Sequence, residues 1–301
     1  MLKGLASFIM RGRLQALVVA VAGAGSLLFC WVSAAAIALV TLRRGAGPGA
    51  WLLLWALLPA GALMFAFGDS GPLALLLGTT VLALVLRFSV SLPLALLASV
   101  PVGLVTGWGV AVFGGPVLEQ MLAFFDQFLG NLEQQMAAEG ATAVTLARPT
   151  ALQIAGMLGA ANAVLSALCL LLARWWQAAL YNPGGFGSEF RALYYPPAVS
   201  SLLLAVALGL SSLGLEYRSW AAICVVPLTV AGMALLHARV TLRGRGTGLL
   251  AGFYIAWVLF DLVKIMVVVA AVADSWLGFR QRWQARAGNS VSRRDDSDDR
   301  D

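Results

Sequence analysis

Apolar residues run through most of this chain in long stretches, broken at intervals by glycine, proline or charge. About 20 such residues cross the ~30 Å hydrocarbon core of a bilayer, so each stretch reads as a candidate membrane helix. The first, residues 14–42, is too long for one upright span and short for two, with Gly23, Gly25 and Ser26 near its middle. Arg11 and Arg13 precede it, and Arg43 and Arg44 follow it. Positive charge collects on the cytoplasmic side, so matched charge at both ends favours a tight hairpin; a single tilted helix is the alternative. Further stretches cover residues 51–67, 73–86, 92–113, 151–172, 200–215, 220–236 and 249–273. Together they predict an all-α, polytopic transmembrane helical bundle of about eight or nine hydrophobic segments.

Residues 114–150 break the pattern. They carry Glu119, Asp126, Glu133 and Glu139 against one base, Arg148, and so belong outside the cytoplasm. Within them, Leu118, Met121, Leu122, Phe125, Phe128, Leu129, Leu132 and Met136 keep helical spacing over 117–136. Glu119, Asp126 and Glu133 recur every seven residues on the opposite side. Such a helix caps its own bundle, lies on the membrane surface or pairs with a partner; an amphipathic stripe most often meets its own core.

The loop charges carry one conflict. They leave the chain outside after residues 249–273, yet Arg280, Arg282 and Arg286 favour the inside. Either that last stretch is re-entrant, or another stretch is not a full span. Residues 284–301, with Arg293, Arg294 and five aspartates, read as a disordered polar tail; residues 1–283 read as one transmembrane domain.

Composition agrees with lipid as the main solvent. The chain is 60% hydrophobic and 11% charged, whereas soluble domains carry about 25% charged residues. The net charge of +6 comes from bases in short loops and at helix ends, not from a basic stripe with interleaved aromatics, so nucleic acid is not an expected partner. Lys3, Arg11 and Arg13 precede an apolar run as in a signal peptide, but the run continues into more membrane sequence and is read as retained spans with a cytoplasmic N-terminus. Cys30, Cys169 and Cys224 all lie within apolar runs and read as small buried residues, without the spacing of a metal or disulfide framework.

No HExxH or P-loop is present, so no cofactor, metal or enzymatic role is expected, and the chain is not itself the ATPase of a transporter. Ser211 and His237 belong at opposite ends of their helices, about 30 Å apart across a bilayer core, out of reach for a catalytic pair.

Three features stand out as candidates. Asp261 and Lys264, three apart in the last apolar stretch, share a helix face; ionisable groups at membrane depth mark either a substrate or ion pocket or a self-neutralising pair. Ala16, Ala20 and Ala24 form a small-residue ridge, which packs inside the bundle or docks a partner. Arg174, Trp175, Trp176, Asn182 and Arg191 belong to a loop at the inner interface, read as an aromatic belt or as a docking loop held by the Asn182-Pro183-Gly184-Gly185 turn.

The stretch Thr41-Leu42-Arg43-Arg44-Gly45, the loop Ala173-Arg174-Trp175-Trp176-Gln177 with Asn182-Pro183-Gly184-Gly185-Phe186, and the ending Ala273-Asp274-Ser275-Trp276-Leu277-Gly278-Phe279-Arg280 resemble the YybS-like family of bacterial membrane proteins. That family is named for a domain of unknown function, and the resemblance covers residues 5–285. The family is in turn distantly similar to the substrate-binding subunits of energy-coupling-factor transporters. In those, a six-helix core binds a vitamin or metal, and an alanine ridge docks a coupling membrane protein driven by ATPases. The resemblance implies a transporter subunit of the bacterial cytoplasmic membrane that binds a small molecule and is energised by separate partners. The extra spans, the acidic insertion and the lack of a vitamin-binding motif depart from that pattern. The alternative is a membrane scaffold or assembly factor that holds other envelope proteins.

Overall fold

The computed structural model describes residues 2–139, 145–242, 244 and 246–283, and among them every regular element is a helix. The tail expected from residue 284 onward lies outside the described residues, as do Arg243 and Arg245.

The chain opens with α1 (Leu2–Arg11), α2 (Arg13–Ala24) and α3 (Cys30–Arg44). The stretch 14–42 is thus a hairpin, not one tilted helix. Ser33 Oγ donates to Ala20 O at 2.5 Å, and Arg44 Nη2 donates to Met10 O at 2.6 Å, which brings both outer ends to one level. At 1.5 Å per residue α2 is only about 18 Å long, short of a full crossing. Its tip agrees, since Leu27, Leu28 and Phe29 are exposed and apolar where a turn in water would be polar.

Among the described residues, five helical segments are long and apolar enough to cross a membrane: α4 (Ala46–Phe67), α5 (Gly71–Ser89), the pair α6 (Leu92–Leu97) and α7 (Ser99–Phe113), α9 (Ala151–Tyr181), and α12 (Arg218–Leu242) with the 3-10 turn before it. Between them lie α8 (Gly115–Ala138), the short α10 (Gly185–Arg191), and α11 (Pro197–Ser212), apolar but short. A sixth crossing exists only if α13 (Thr247–Leu259) and α14 (Asp261–Leu277) count as one, and they are bent by 115° at Phe260. Five or six crossings therefore replace the eight or nine segments counted from hydropathy, because several apolar stretches form short or broken helices.

Local sequence sets the boundaries. Thr150 and Gln153 form a reciprocal capping box that starts α9, at 3.2 and 2.9 Å. Gly68, at φ +70°, ends α4 in the left-handed conformation that glycine tolerates, and Asp69 Oδ1 then accepts from Gly71 N at 2.8 Å before Pro72 opens α5.

The core is centred on α3, which is buried along nearly its whole length among α2, α4, α5 and α9. Lipid tails are as apolar as leucine, so close packing and internal hydrogen bonds must hold the helices together. The tightest contact joins α7 to α9, where Gly103 and Gly107 face Ala155, Gly159 and Ala163. Beside it Asn162 Nδ2 donates to Thr106 Oγ1 at 2.8 Å and to Ala74 O at 3.3 Å, tying α9 to α7 and α5.

The bundle has two chemically opposite ends. Arg87 donates to Thr41 O and Leu42 O, Arg43 lies 4.1 Å above the Tyr181 ring, and Arg280 donates to Arg191 O. These contacts gather Arg43, Arg44, Arg87, Arg174, Arg191 and Arg280 at one end. Asp69, Glu119, Asp126, Glu133 and Glu216 belong to the other. In the last apolar stretch, Tyr254 of α13 bonds His237 of α12, and the end of α14 meets Tyr194 through the Ser275 carbonyl. The 115° bend makes this stretch either a broken span or a re-entrant loop, the second of which would set Arg280 and Arg282 among the other bases.

Candidate functional site

The most unusual element is α8. It extends 24 residues, yet only Leu118 is buried. Its first half packs Leu118, Met121, Leu122 and Phe125 onto Val110, Ile154, Ala155, Leu158 and Trp220. Its second half adds no residue to a buried cluster among the described residues, so the expected capping contact is made by the first half. Phe124 and Phe128 stack nearly parallel with centroids 6.2 Å apart, and they remain 62% and 54% exposed.

An ionic clasp braces the second half. Arg148 reaches back to Glu133 through both terminal nitrogens and to Asp126 Oδ1 at 3.2 Å, while Leu146 N donates to Glu133 Oε1 at 2.7 Å. The Arg148 hydrogen bonds, then that of Leu146, pull the Glu133 carboxyl down to about 2 from 4.5. Glu133 and Asp126 also hold the Arg148 guanidinium firmly protonated. Sequence spacing gave no sign of this clasp, because Arg148 lies 22 and 15 residues from its partners.

The loop residues divide. Arg174 pairs with Glu189 at 2.7 Å, Asn182 is exposed at the end of α9, and Arg191 supplies the carbonyl that Arg280 binds. Trp175 is partly exposed beside Pro183 and Phe186. Trp176 is fully buried, so it is a core residue and not a docking residue. The alanine ridge is likewise corrected. Ala16, Ala20 and Ala24 are at most 1% exposed, because α3 and α4 of the same bundle cover them.

Asp261 and Lys264 do pair, at 2.7 Å, but on the surface beside the α13–α14 bend, with the Asp261 side chain 90% exposed. They border none of three cavities in the fold, and Asp261 stands open at the surface instead of facing into the bundle. These three cavities open at the basic end. One, of about 390 Å³, is bordered by Ser188, Arg191, Tyr194, Asp274, Arg280 and Gln281. There Asp274 Oδ2 lies 3.0 Å from Arg280 Nε, off the hydrogen-bond axis; Asp274 is buried and Arg280 largely so. The two remaining guanidinium nitrogens donate to Arg191 O at 2.8 Å and Ala231 O at 3.2 Å. Arg280 is thereby spent on joining three segments of the chain. His237, the lone histidine, bonds Tyr254 at 2.8 Å and so tethers α13 to α12.

No family model, curated protein or solved structure matches the chain.

Proposed function

We propose that the chain is a multi-pass protein of the bacterial cytoplasmic membrane that serves as a scaffold or assembly factor, with α8 as the arm that holds a partner protein outside the cytoplasm. The observation that carries this reading is the stacked, exposed Phe124–Phe128 pair on a helix that an ionic clasp ties to the segment just before α9. Charge selects a protein over a lipid surface as its occupant. Surface-lying membrane helices carry Lys and Arg on the polar face, whereas α8 carries Glu119, Asp126 and Glu133 there and no base. The positive-inside rule gives the orientation, with the arginine-rich end and the N-terminus in the cytoplasm.

Replacing Phe124 and Phe128 together by glutamate tests this reading. Both are exposed, so the expected result is unchanged yield and thermal stability with loss of the larger complex on native gels. A complex of unchanged size would overturn the proposal.

One observation favours a second reading, a small-molecule-binding subunit energised by a coupling membrane protein and ATPases. It is the cavity of about 390 Å³ between Arg191 and Asp274. Stabilisation of the purified protein by a soluble metabolite, lost on enlarging Ala238 at the cavity wall, would support it; the absence of any such ligand would set it aside.

A further inference from the structure

A second cavity, of about 510 Å³, lies where α2 begins, α3 ends and α4 begins. Its polar wall is Arg13 and Arg44, and its apolar wall is Val40, Trp51 and Leu52. No carboxylate among the described residues borders it. Arg44 spends one nitrogen on Met10 O, and the Arg13 side chain, which is exposed, makes no hydrogen bond or ion pair among the described residues. Two cations side by side with no counter-charge repel each other, and a bound anion removes that repulsion. The apolar wall continues beyond the cavity. Trp51, Trp55 and Leu58 follow one another down a single face of α4, all exposed, with the two indoles edge to face at 6.2 Å. Tryptophan favours the headgroup level of a bilayer, which places the arginines at phosphate depth and the α4 face at acyl-chain depth.

We propose that this groove is a binding site for an anionic phospholipid, whose headgroup phosphate sits between Arg13 and Arg44 and whose acyl chains lie along Trp51, Trp55 and Leu58. Basic pockets between membrane helices suit such headgroups, and each arginine near a phosphate contributes on the order of a fivefold gain in binding. A soluble phosphate would satisfy the arginines but leave the α4 face unexplained. The site is independent of α8 and stands whether or not a protein partner binds there.

The test is native mass spectrometry of the full chain released from nanodiscs made of phosphatidylglycerol and phosphatidylcholine in equal amounts. The wild-type protein is expected to retain phosphatidylglycerol over phosphatidylcholine. Arg13→Gln is expected to lower that preference about fivefold, and Arg13→Gln with Arg44→Gln to abolish it. Because Arg44 also braces Met10, Arg13→Gln alone is the decisive variant, and Arg282→Gln, on the same end but outside the groove, is expected to change nothing. Equal retention by wild type and Arg13→Gln would overturn the proposal. So would full displacement of the lipid by excess inorganic phosphate, which would assign the arginines to a soluble anion.

Discussion

Gly159 of α9 lies against the backbone of Gly103 in α7, so closely that a Cβ on Gly159 would stand 2.5 Å from the Gly103 carbonyl oxygen. Real side chains do not approach that near, and a backbone atom cannot swing aside. Gly159→Ala is therefore expected to destabilise the bundle by about 1–3 kcal/mol, the usual cost of overpacking. Gly209 in α11 is the control, since a Cβ there meets nothing within 4 Å. Gly209→Ala is expected to be neutral or slightly stabilising, as alanine is the better helix former. Thermal unfolding of the two variants in the same detergent checks the difference.

Arg280 and Asp274 form a buried pair, 13% and 4% exposed. Arg280→Ala strands the Asp274 carboxylate and frees the carbonyls of Arg191 and Ala231, at an expected cost of about 3–5 kcal/mol. Replacing both, Asp274→Leu with Arg280→Met, is expected to recover much of that loss, because no uncompensated charge remains. A thermal-shift comparison of the single and double variants reads this out.

The α8 clasp predicts its own pH dependence. Glu133 has its carboxyl lowered in the folded chain, from 4.5 to about 2, chiefly by Arg148. Its contribution is thus fully present above about pH 4.5 and is lost as pH falls toward 2. Both partners are accessible to water, so the clasp should also weaken with salt. An NMR titration of the Glu133 carboxyl is expected to give a midpoint near 2 in the wild type, rising toward the ordinary carboxylate range in Arg148→Ala, where the Leu146 N–H still lowers it.

The three cysteines are buried, which leaves the surface clear for single-site labelling. A cysteine at Gln134 on α8 is expected to react with an impermeant maleimide added to intact cells. One at Gln281 is expected to react only after the membrane is opened. Labelling of both from the same side would contradict the two-ended arrangement.

Much of this architecture is legible in the sequence. Arginines on both sides of residues 14–42 indicated a hairpin, and the acidic residues recurring every seven positions located α8 to within a turn or two. What escaped depends on contacts made at a distance. A ridge of alanines looks the same whether a partner or a neighbouring helix covers it, and here α3, which begins six residues after Ala24, covers it together with α4. The spacing of Asp261 and Lys264 ensured that they could pair, but whether they faced inward was set by a 115° bend at Phe260, which neither glycine nor proline marks. Arg280 lies beyond the last apolar stretch, and nothing in its neighbours shows that its side chain reaches α12.

The central claim is that the free face of α8 holds a protein. A photo-crosslinking residue at position 128, activated in intact membranes, tests it most directly, with positions 127 and 134 on the polar face as controls. The account predicts one discrete protein adduct from position 128 and none from the controls. Adducts with lipid alone, or equal yields from all three positions, would contradict it.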